Sequence, residues 1–404
     1  MDIPTFTKEI ISQPHDEGLR MVFADYLEER EDPRAELIRA QLERDRIPVW
    51  DPQRVELAWR ERRAQRLADY AFFGRLPEGC PPLCSEGGFY SGVSLSISAF
   101  LKRRSSLFRT APITSLAIEG RATRLEALAS VPQWQQIRHL TFCVESSIPE
   151  YIRFFSSTHL RHLETLELRF RPRQAAVVND LVSAALRSLK TDSLRHLIIS
   201  EGDLRVPTLL DLLRDVPLPA LHALDAGETV FGDGSLSTLA ELDVTRQLRS
   251  LSLTGRFSGS SLASFQQHHC AQQLIRLRLS NSQLSRDAFA IELPPPLRWL
   301  KLQMSMTDKD LSAVVDRYPH LEVLELGHNN LECAGAAWLA EHPVYQQLRR
   351  LDLSSNAIQN EGAEALASTH NEQTEVLLAG NSLHRDELRG LQQRIGNGFG
   401  GLRT

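Results

Sequence analysis

The sequence is poor in cysteine, in long apolar runs and in charge of one sign, and each scarcity removes a class of protein. Five cysteines, Cys80, Cys84, Cys143, Cys270 and Cys333, are scattered through 404 residues. They are too few, and odd in number, for a disulfide framework, and fit reduced thiols in a cytoplasm. No stretch approaches 18 uninterrupted apolar residues, and the opening MDIPTFTKEI has no basic segment followed by an apolar one. The expectation is a cytoplasmic protein that neither spans a membrane nor carries a secretory signal. The formal net charge of -5 argues against a generally basic nucleic-acid binder. Residues 1–88 hold 13 Lys and Arg against 18 Asp and Glu, and the remainder holds 33 of each, so the whole acidic excess is N-terminal.

Catalytic and ligand motifs are lacking as well. The chain has no G-x-x-x-x-G-K-[ST], no H-E-x-x-H and no G-x-S-x-G. Its one G-x-G-x-x-G, at Gly396 to Gly401, is followed only by Leu-Arg-Thr, so no helix opens there to hold a pyrophosphate. Cys80-Pro-Pro-Leu-Cys84 has no second Cys/His pair at finger spacing and reads as a linker with two free thiols. His268-His269-Cys270 points three neighbours in diverging directions, which does not suit a metal. The basic clusters Lys102-Arg103-Arg104 and Arg60 to Arg66 are short and read as solvated helical faces. Neither an enzyme, nor a cofactor, nor a metal, nor a nucleic-acid partner is expected.

What the chain has in abundance is L-x-x-L-x-L. It recurs at Leu163 to Leu168, Leu248 to Leu253 and Leu297 to Leu302, among others. The second apolar position of each copy marks Leu116, Leu140, Leu166, Leu197, Leu224, Leu251, Leu277, Leu300, Leu324, Leu351 and Val376, which lie 23 to 31 residues apart with a mean of 26. Three C-terminal copies extend to an asparagine, Asn329, Asn356 and Asn381. Earlier copies hold Gly202, Thr229, Arg256, Ser282 or Ser305 in that slot. An asparagine there can satisfy backbone groups where a strand bends into a loop, which a leucine cannot do.

Eleven copies at a regular period form the leucine-rich-repeat signature. Alternation sends the leucines to one side of a short strand and the intervening residues to the other. Segments such as Ala334 to Glu341 and Glu361 to Ser368 carry small and apolar residues at helical spacing between the strands. The expected fold class is α/β: a leucine-rich-repeat solenoid with a curved parallel sheet inside and helices outside, behind a small all-α N-terminal domain. The pattern resembles the ribonuclease-inhibitor-like class. A capping helix is expected from His384 to Ile395, followed by a Gly-rich tail.

The N-terminal residues lack the repeat. Asp16 is placed to cap a helix with the apolar stripe Leu19, Val22, Phe23, Tyr26 and Leu27, and Asp32-Pro33 and Asp51-Pro52 mark two more helix starts. Three helices are expected. The run from Asp16 to Gln41, DEGLRMVFADYLEEREDPRAELIRAQ, resembles the bacterial repeat-companion domain, with a looser likeness through Arg60-Glu61, Leu76-Pro77 and Gly88-Phe89. It departs from that pattern at Phe23, Tyr26, Glu31 and Ala35. The resemblance implies a helical module ahead of a repeat array and no assigned activity. The polar set Asp25, Glu28, Glu29, Asp32, Arg34, Glu36, Arg39 and Gln41 reads as caps and ion pairs. Phe89, Val93, Leu95 and Ile97 suggest an alternating strand that begins the sheet. The domains expected are 1–88, helical companion and linker; 89–383, the repeat array; and 384–404, the capping helix and tail.

Function in such a fold falls to side chains on the concave sheet. Register puts Arg276, Arg278, Trp299 and Lys301 in one cluster, with Glu325, Arg350 and Asp352 beside it and strands about 4.8 Å apart. An exposed tryptophan among arginines is suited to anchoring a protein, although cation-π contacts and cross-strand ion pairs that merely solubilise the sheet give the same pattern. The expected function is a non-enzymatic scaffold that binds a protein partner on the concave face. The alternative is a regulator of the GTPase-activating type, and a ligase-type effector is a weaker third.

Overall fold

The computed structural model describes residues 1–69, 71–121, 125–145, 147–170, 175–202, 204–280, 296–371, 373–384 and 389–390. Contacts divide the chain into two compact units, 1–49 with 56–222, and 50–55 with 223–404. The fold class is α/β, a leucine-rich-repeat solenoid with helices at its N-terminal end.

The first unit opens with α1 (Ile3–Ser12), α2 (Glu17–Glu28) and α3 (Arg34–Arg46), and contains most of α4 (Gln53–Leu67). Asp2 and Asp16 start the first two helices by accepting from the Thr5 and Leu19 amides at 2.9 and 2.8 Å. Asp32 accepts from the Arg34 amide at 3.0 Å, which is the capping expected beside Pro33. The helical region has four helices rather than three, because α1 carries Phe6 and Ile10 into a core with Phe23, Leu27, Ile38, Phe73 and Phe89. Val22, expected on the apolar stripe, is exposed. The acidic run is taken up in ion pairs: Arg39 meets Asp25 and Glu28 at 2.6 and 2.7 Å, and Arg60 meets Glu36 at 2.6 Å.

The sheet does not begin where the alternation begins. A hairpin precedes it, with β1 (Pro82–Glu86) antiparallel to β2 (Phe89–Ser96) across Gly87-Gly88. Both glycines have positive φ, 53° and 80°, the conformation a two-residue hairpin turn needs. Two buried side chains fasten this hairpin to the helices. Arg20 donates to the Glu86 carbonyl at 2.7 Å and the Pro14 carbonyl at 2.8 Å. Gln41 accepts from the Gly88 amide at 2.7 Å and donates to Ser85 and Glu61. Each satisfies backbone or polar groups that burial would otherwise leave unpaired.

From β2 onward the repeat takes over. In the first unit β2 is followed by parallel strands β3 (Ser115–Arg121), β4 (His139–Glu145), β5 (Thr165–Arg169) and β6 (His196–Ser200). Helices α5 (Ile97–Thr110), α6 (Leu125–Ala129), α7 (Ile148–Phe155), α8 (Ala175–Ser188) and α9 (Val206–Asp215) alternate with them or follow. The second unit continues with β7 (Ala223–Phe231), β8 (Ser250–Gly255), β9 (Arg276–Ser280), β10 (Trp299–Gln303), β11 (Val323–Glu325), β12 (Arg350–Asp352) and β13 (Glu375–Leu377). Its helices are α10 (Asp233–Glu241), α11 (Gly259–Gln267), α12 (Asp308–Val315), α13 (Cys333–Glu341) and α14 (Asn360–Ser368).

Within each unit the repeat marks pair directly with one another. Leu116, Leu140, Leu166 and Leu197 form one row. Leu224, Leu251, Leu277, Leu300, Leu324, Leu351 and Val376 form the other. All eleven are at most 1% exposed, so each contributes roughly 1.5–3 kcal/mol of apolar burial.

The three asparagines do the work their position suggested. Asn329 accepts from the Met304 and Met306 amides at 2.8 and 3.1 Å and donates to the Leu302 and Leu326 carbonyls at 2.8 and 2.9 Å. Asn356 joins the Leu331 amide to the Leu326 and Leu353 carbonyls, and Asn381 joins the Ile358 amide to those of Leu353 and Leu378. Among the described residues, no helix is long and apolar enough to cross a membrane. The expected capping helix over 384–395 and the Gly-rich tail fall almost wholly outside the described residues.

Candidate functional site

The seven expected site residues lie on β9 to β12, on the sheet face away from the leucines. Pairing is Arg276 beside Trp299, Arg278 beside Lys301, Trp299 beside Val323, Lys301 beside Glu325, Val323 beside Arg350 and Glu325 beside Asp352. The Arg276 guanidinium stacks on the Trp299 ring, 4.1 Å from its centre. Trp299 Nε1 donates to Glu325 at 3.2 Å, and Lys301 pairs with the same carboxylate at 3.3 Å. Arg350 reaches Glu325 at 4.0 Å but is held more closely by Glu375, at 2.6 Å.

Two of the seven stand apart. Asp352 accepts from the Ser354 amide at 2.9 Å, closing the turn after its own strand. Arg278 lies beside Lys301 in register, and its Nε is buried without a hydrogen-bond partner among the described residues.

The expectation of an exposed tryptophan is corrected. Trp299 is 6% exposed and packs with Val55 and Val323 in an apolar cluster. Val55 comes from 50–55, the short segment that belongs by contact to the second unit. An indole on a sheet offers a large apolar area, and this chain covers it with a valine of its own. Glu325 is also buried, at 7% exposure. A carboxylate so placed must be paired, and the Trp299, Lys301 and Arg350 donors meet that need. Burial pushes the Arg276 guanidinium below its ordinary range, helped by Arg278 and Arg350 and opposed by Glu325 and Asp225. The arrangement is therefore a paired platform: Trp299 and Glu325 lie beneath, with the half-buried cations Arg276, Arg278, Lys301 and Arg350 around them.

Several members of this face were not among the expected site residues. Glu375, 8% exposed, is the principal partner of Arg350, and its place in the register beside Arg350 was a usable signal. Ser252 and Ser280 share the face as well. Val55 gave no signal, since nothing local connects it to Trp299.

The first unit has a smaller polar centre on its own strands. Glu167 accepts from Thr141 at 2.9 Å, from Arg169 at 2.8 Å and from Ser200 at 3.1 Å. Burial raises the Glu167 carboxyl, but these hydrogen bonds outweigh burial and hold it below the usual carboxylate range.

Comparison with known protein families finds the repeat in part of the chain. A family described as Leucine Rich repeat matches residues 346–367, a stretch that spans β12 and most of α14. No curated protein matches the chain. Among solved structures, the chain is similar to one from the crystal structure of the Rad7 and Elc1 complex in yeast, at 17% identity and a TM-score of 0.41, covering 67% of this chain and 80% of that one. It is also similar to a Bacteroides fragilis protein at 14% identity and a TM-score of 0.38, covering 64% of this chain and 72% of that one. The chain carries leucine-rich repeats.

Proposed function

We propose that the protein is a non-enzymatic scaffold that binds a protein partner on the strand face of its second unit. The observation that carries this reading is the platform around Glu325, where Arg276, Trp299, Lys301 and Arg350 are fixed by stacking and hydrogen bonds on a backbone-satisfied sheet. Fixed side chains lose little entropy when a partner docks, so such a surface recognises rather than adapts. The partner meets Arg278, Lys301, Arg350 and Asp352 first, with Trp299 and Glu325 supporting them from below. In this reading residues 1–88 form a repeat-companion-type domain, 89–383 a ribonuclease-inhibitor-like array and 384–404 its capping helix and tail, and the protein works in a bacterial cytoplasm.

The test is affinity capture from lysate of the source cells with the wild type and with the double variant Arg278→Glu, Asp352→Lys. Neither residue is a partner of the buried Glu325 carboxylate; Asp352→Lys gives up the turn bond from the Ser354 amide, a loss of about 1 kcal/mol, so a thermal melt establishes that the variant is folded before capture is read. At least tenfold less of one identified protein is expected on the variant. Equal recovery of every captured protein on both baits would sink the assignment of this face.

A further inference from the structure

The arginines of the helical region do not share one fate. Arg30, Arg34, Arg39, Arg44, Arg46 and Arg60 each pair with a carboxylate of that region. Arg63 and Arg66, in the last turns of α4, are exposed and pair with no acid among the described residues. The Arg63 guanidinium lies over the ring of half-buried Trp59, 5.8 Å from its centre. Leu67, the last residue of α4, is 64% exposed.

Positions 59, 63, 66 and 67 fall within about 100° of arc on one side of a helix and span about 12 Å along it. The opposite side is taken up by the fold: Leu57, Ala64 and Ala68 are buried, the last two packed with Leu37. Arg60, at the margin, reaches Glu36 and Glu43 of α3. Cations near a helix C-terminus complement its dipole, which accounts for the two charges but not for a leucine left in water beside a tryptophan. Tryptophan and arginine are the side chains that dominate binding energy at protein interfaces, and Leu67 extends the apolar area they offer.

The charges select what docks. Two arginines without acids call for carboxylates, and the surrounding region limits how many. Residues 1–88 hold 13 Lys and Arg against 18 Asp and Glu, a formal charge of -5. That excess repels a nucleic acid or an anionic membrane, whereas a short segment with two carboxylates and an apolar side chain meets only what the stripe offers. Residues three apart on a helix stand about 5–6 Å apart at Cβ, so Arg63 and Arg66 match two acids one turn apart on a second helix. We propose that the Trp59, Arg63, Arg66 and Leu67 face of α4 docks an acidic, amphipathic helical segment of a partner protein. Arg63 and Arg66 meet its carboxylates, and Trp59 and Leu67 cover its apolar side chain. The proposal does not rest on the reading of the strand face, and it gives the helical region a recognition role of its own.

The test is fluorescence anisotropy of the full chain with a labelled alanine-based helical peptide that carries glutamates one turn apart and a leucine beside them. Saturable binding that weakens as salt rises is expected. The Arg63→Glu, Arg66→Glu pair should weaken it about tenfold and Leu67→Ser several-fold, and glutamines in place of the peptide's glutamates should weaken it about tenfold. The strand-face variant Arg278→Glu, Asp352→Lys should bind the peptide as the wild type does. Arg63→Gln with Arg66→Gln gives a second reading if charge reversal at the helix end prevents folding. No saturable binding of the peptide, affinity unchanged in the α4 variants, or tighter binding of a single-stranded oligonucleotide or of phosphatidylserine vesicles overturns the proposal. Binding lost in the strand-face variant and kept in the α4 variants would also overturn it, while leaving the scaffold reading in place.

Discussion

The repeats of this chain turn their corners in two ways. At the C-terminal end, β11, β12 and β13 are three residues long, and each strand stops where an asparagine side chain takes over the backbone groups. In the first unit β3 and β4 run for seven residues and stay paired through the slot itself, with Arg121 beside Glu145. Backbone amides and carbonyls leaving a strand must find partners. Asn329, Asn356 and Asn381 supply them from a side chain, whereas β3 and β4 supply them by prolonging the ladder. Arg121 and Glu145, which hold the asparagine slot in those two repeats, are the sequence trace of this second solution.

The largest test of that contrast is Asn329→Leu. It leaves the Met304 and Met306 amides and the Leu302 and Leu326 carbonyls without their partner, at a cost of about 3–5 kcal/mol in urea unfolding. Arg256→Leu, in an exposed slot where the backbone amide already donates to the Phe231 carbonyl at 2.9 Å, should cost about 0.5 kcal/mol or less. Equal losses for the two would end the distinction.

Cys270 sharpens the comparison on the side away from the strands. It is fully buried, and burial pushes its thiol up to about 11 from 9.0. Below pH 9 the thiol is neutral in both states. Above it the unfolded chain releases the proton first, so stability falls as pH rises from about 9 to about 11, by roughly 2–3 kcal/mol. Urea midpoints at pH 8 and pH 10.5 should diverge less in Cys270→Ala than in the wild type, and equal divergence would remove the thiol from the account.

Gly202 occupies the asparagine slot of the repeat built on β6. A Cβ there would lie 3.0 Å from Phe170 and 3.2 Å from Val178, so Gly202→Ala should cost about 1–3 kcal/mol. Gly234, in the first turn of α10, has nothing within 4 Å of its Cβ position, and Gly234→Ala should stabilise by up to about 1 kcal/mol. Thermal melting of the pair should show opposite signs.

The smallest effect belongs to Glu167. Its depressed titration gives stability that is present above the ordinary carboxylate value and is lost as pH falls through the lower folded value. Glu167→Gln should remove about 1 kcal/mol or less at pH 7 and flatten the loss below pH 4.5. An unchanged acid limb would show that the Arg169, Thr141 and Ser200 bonds do not govern it.

The repeat was legible because period-2 alternation and a 26-residue spacing are local properties that the chain cannot disguise. Hence Leu116 to Val376 could be placed before any coordinate was known, and the role of Asn329 with them. The hairpin at Gly87-Gly88 was also written in the sequence, as a Gly-Gly pair before an alternating strand, but short β1 has no apolar pattern of its own. The site was half legible. Register predicts which side chains stand together, yet the burial of Trp299 depends on Val55, separated from it by more than two hundred residues. No periodicity carries information over that distance.

The asparagine bonds also have a direction. Asn329 serves amides at 304 and 306, Asn356 one at 331 and Asn381 one at 358, so each repeat has its turn completed by the repeat that follows it. Coupling between neighbours is thus built into the corners as well as the core, and it is asymmetric. If the repeat around β13 frays, Ile358 and Leu353 lose partners at once, and the next corner weakens with them. Pulled from its C-terminus, this end should open as a cooperative zipper, one repeat loosening the one before it.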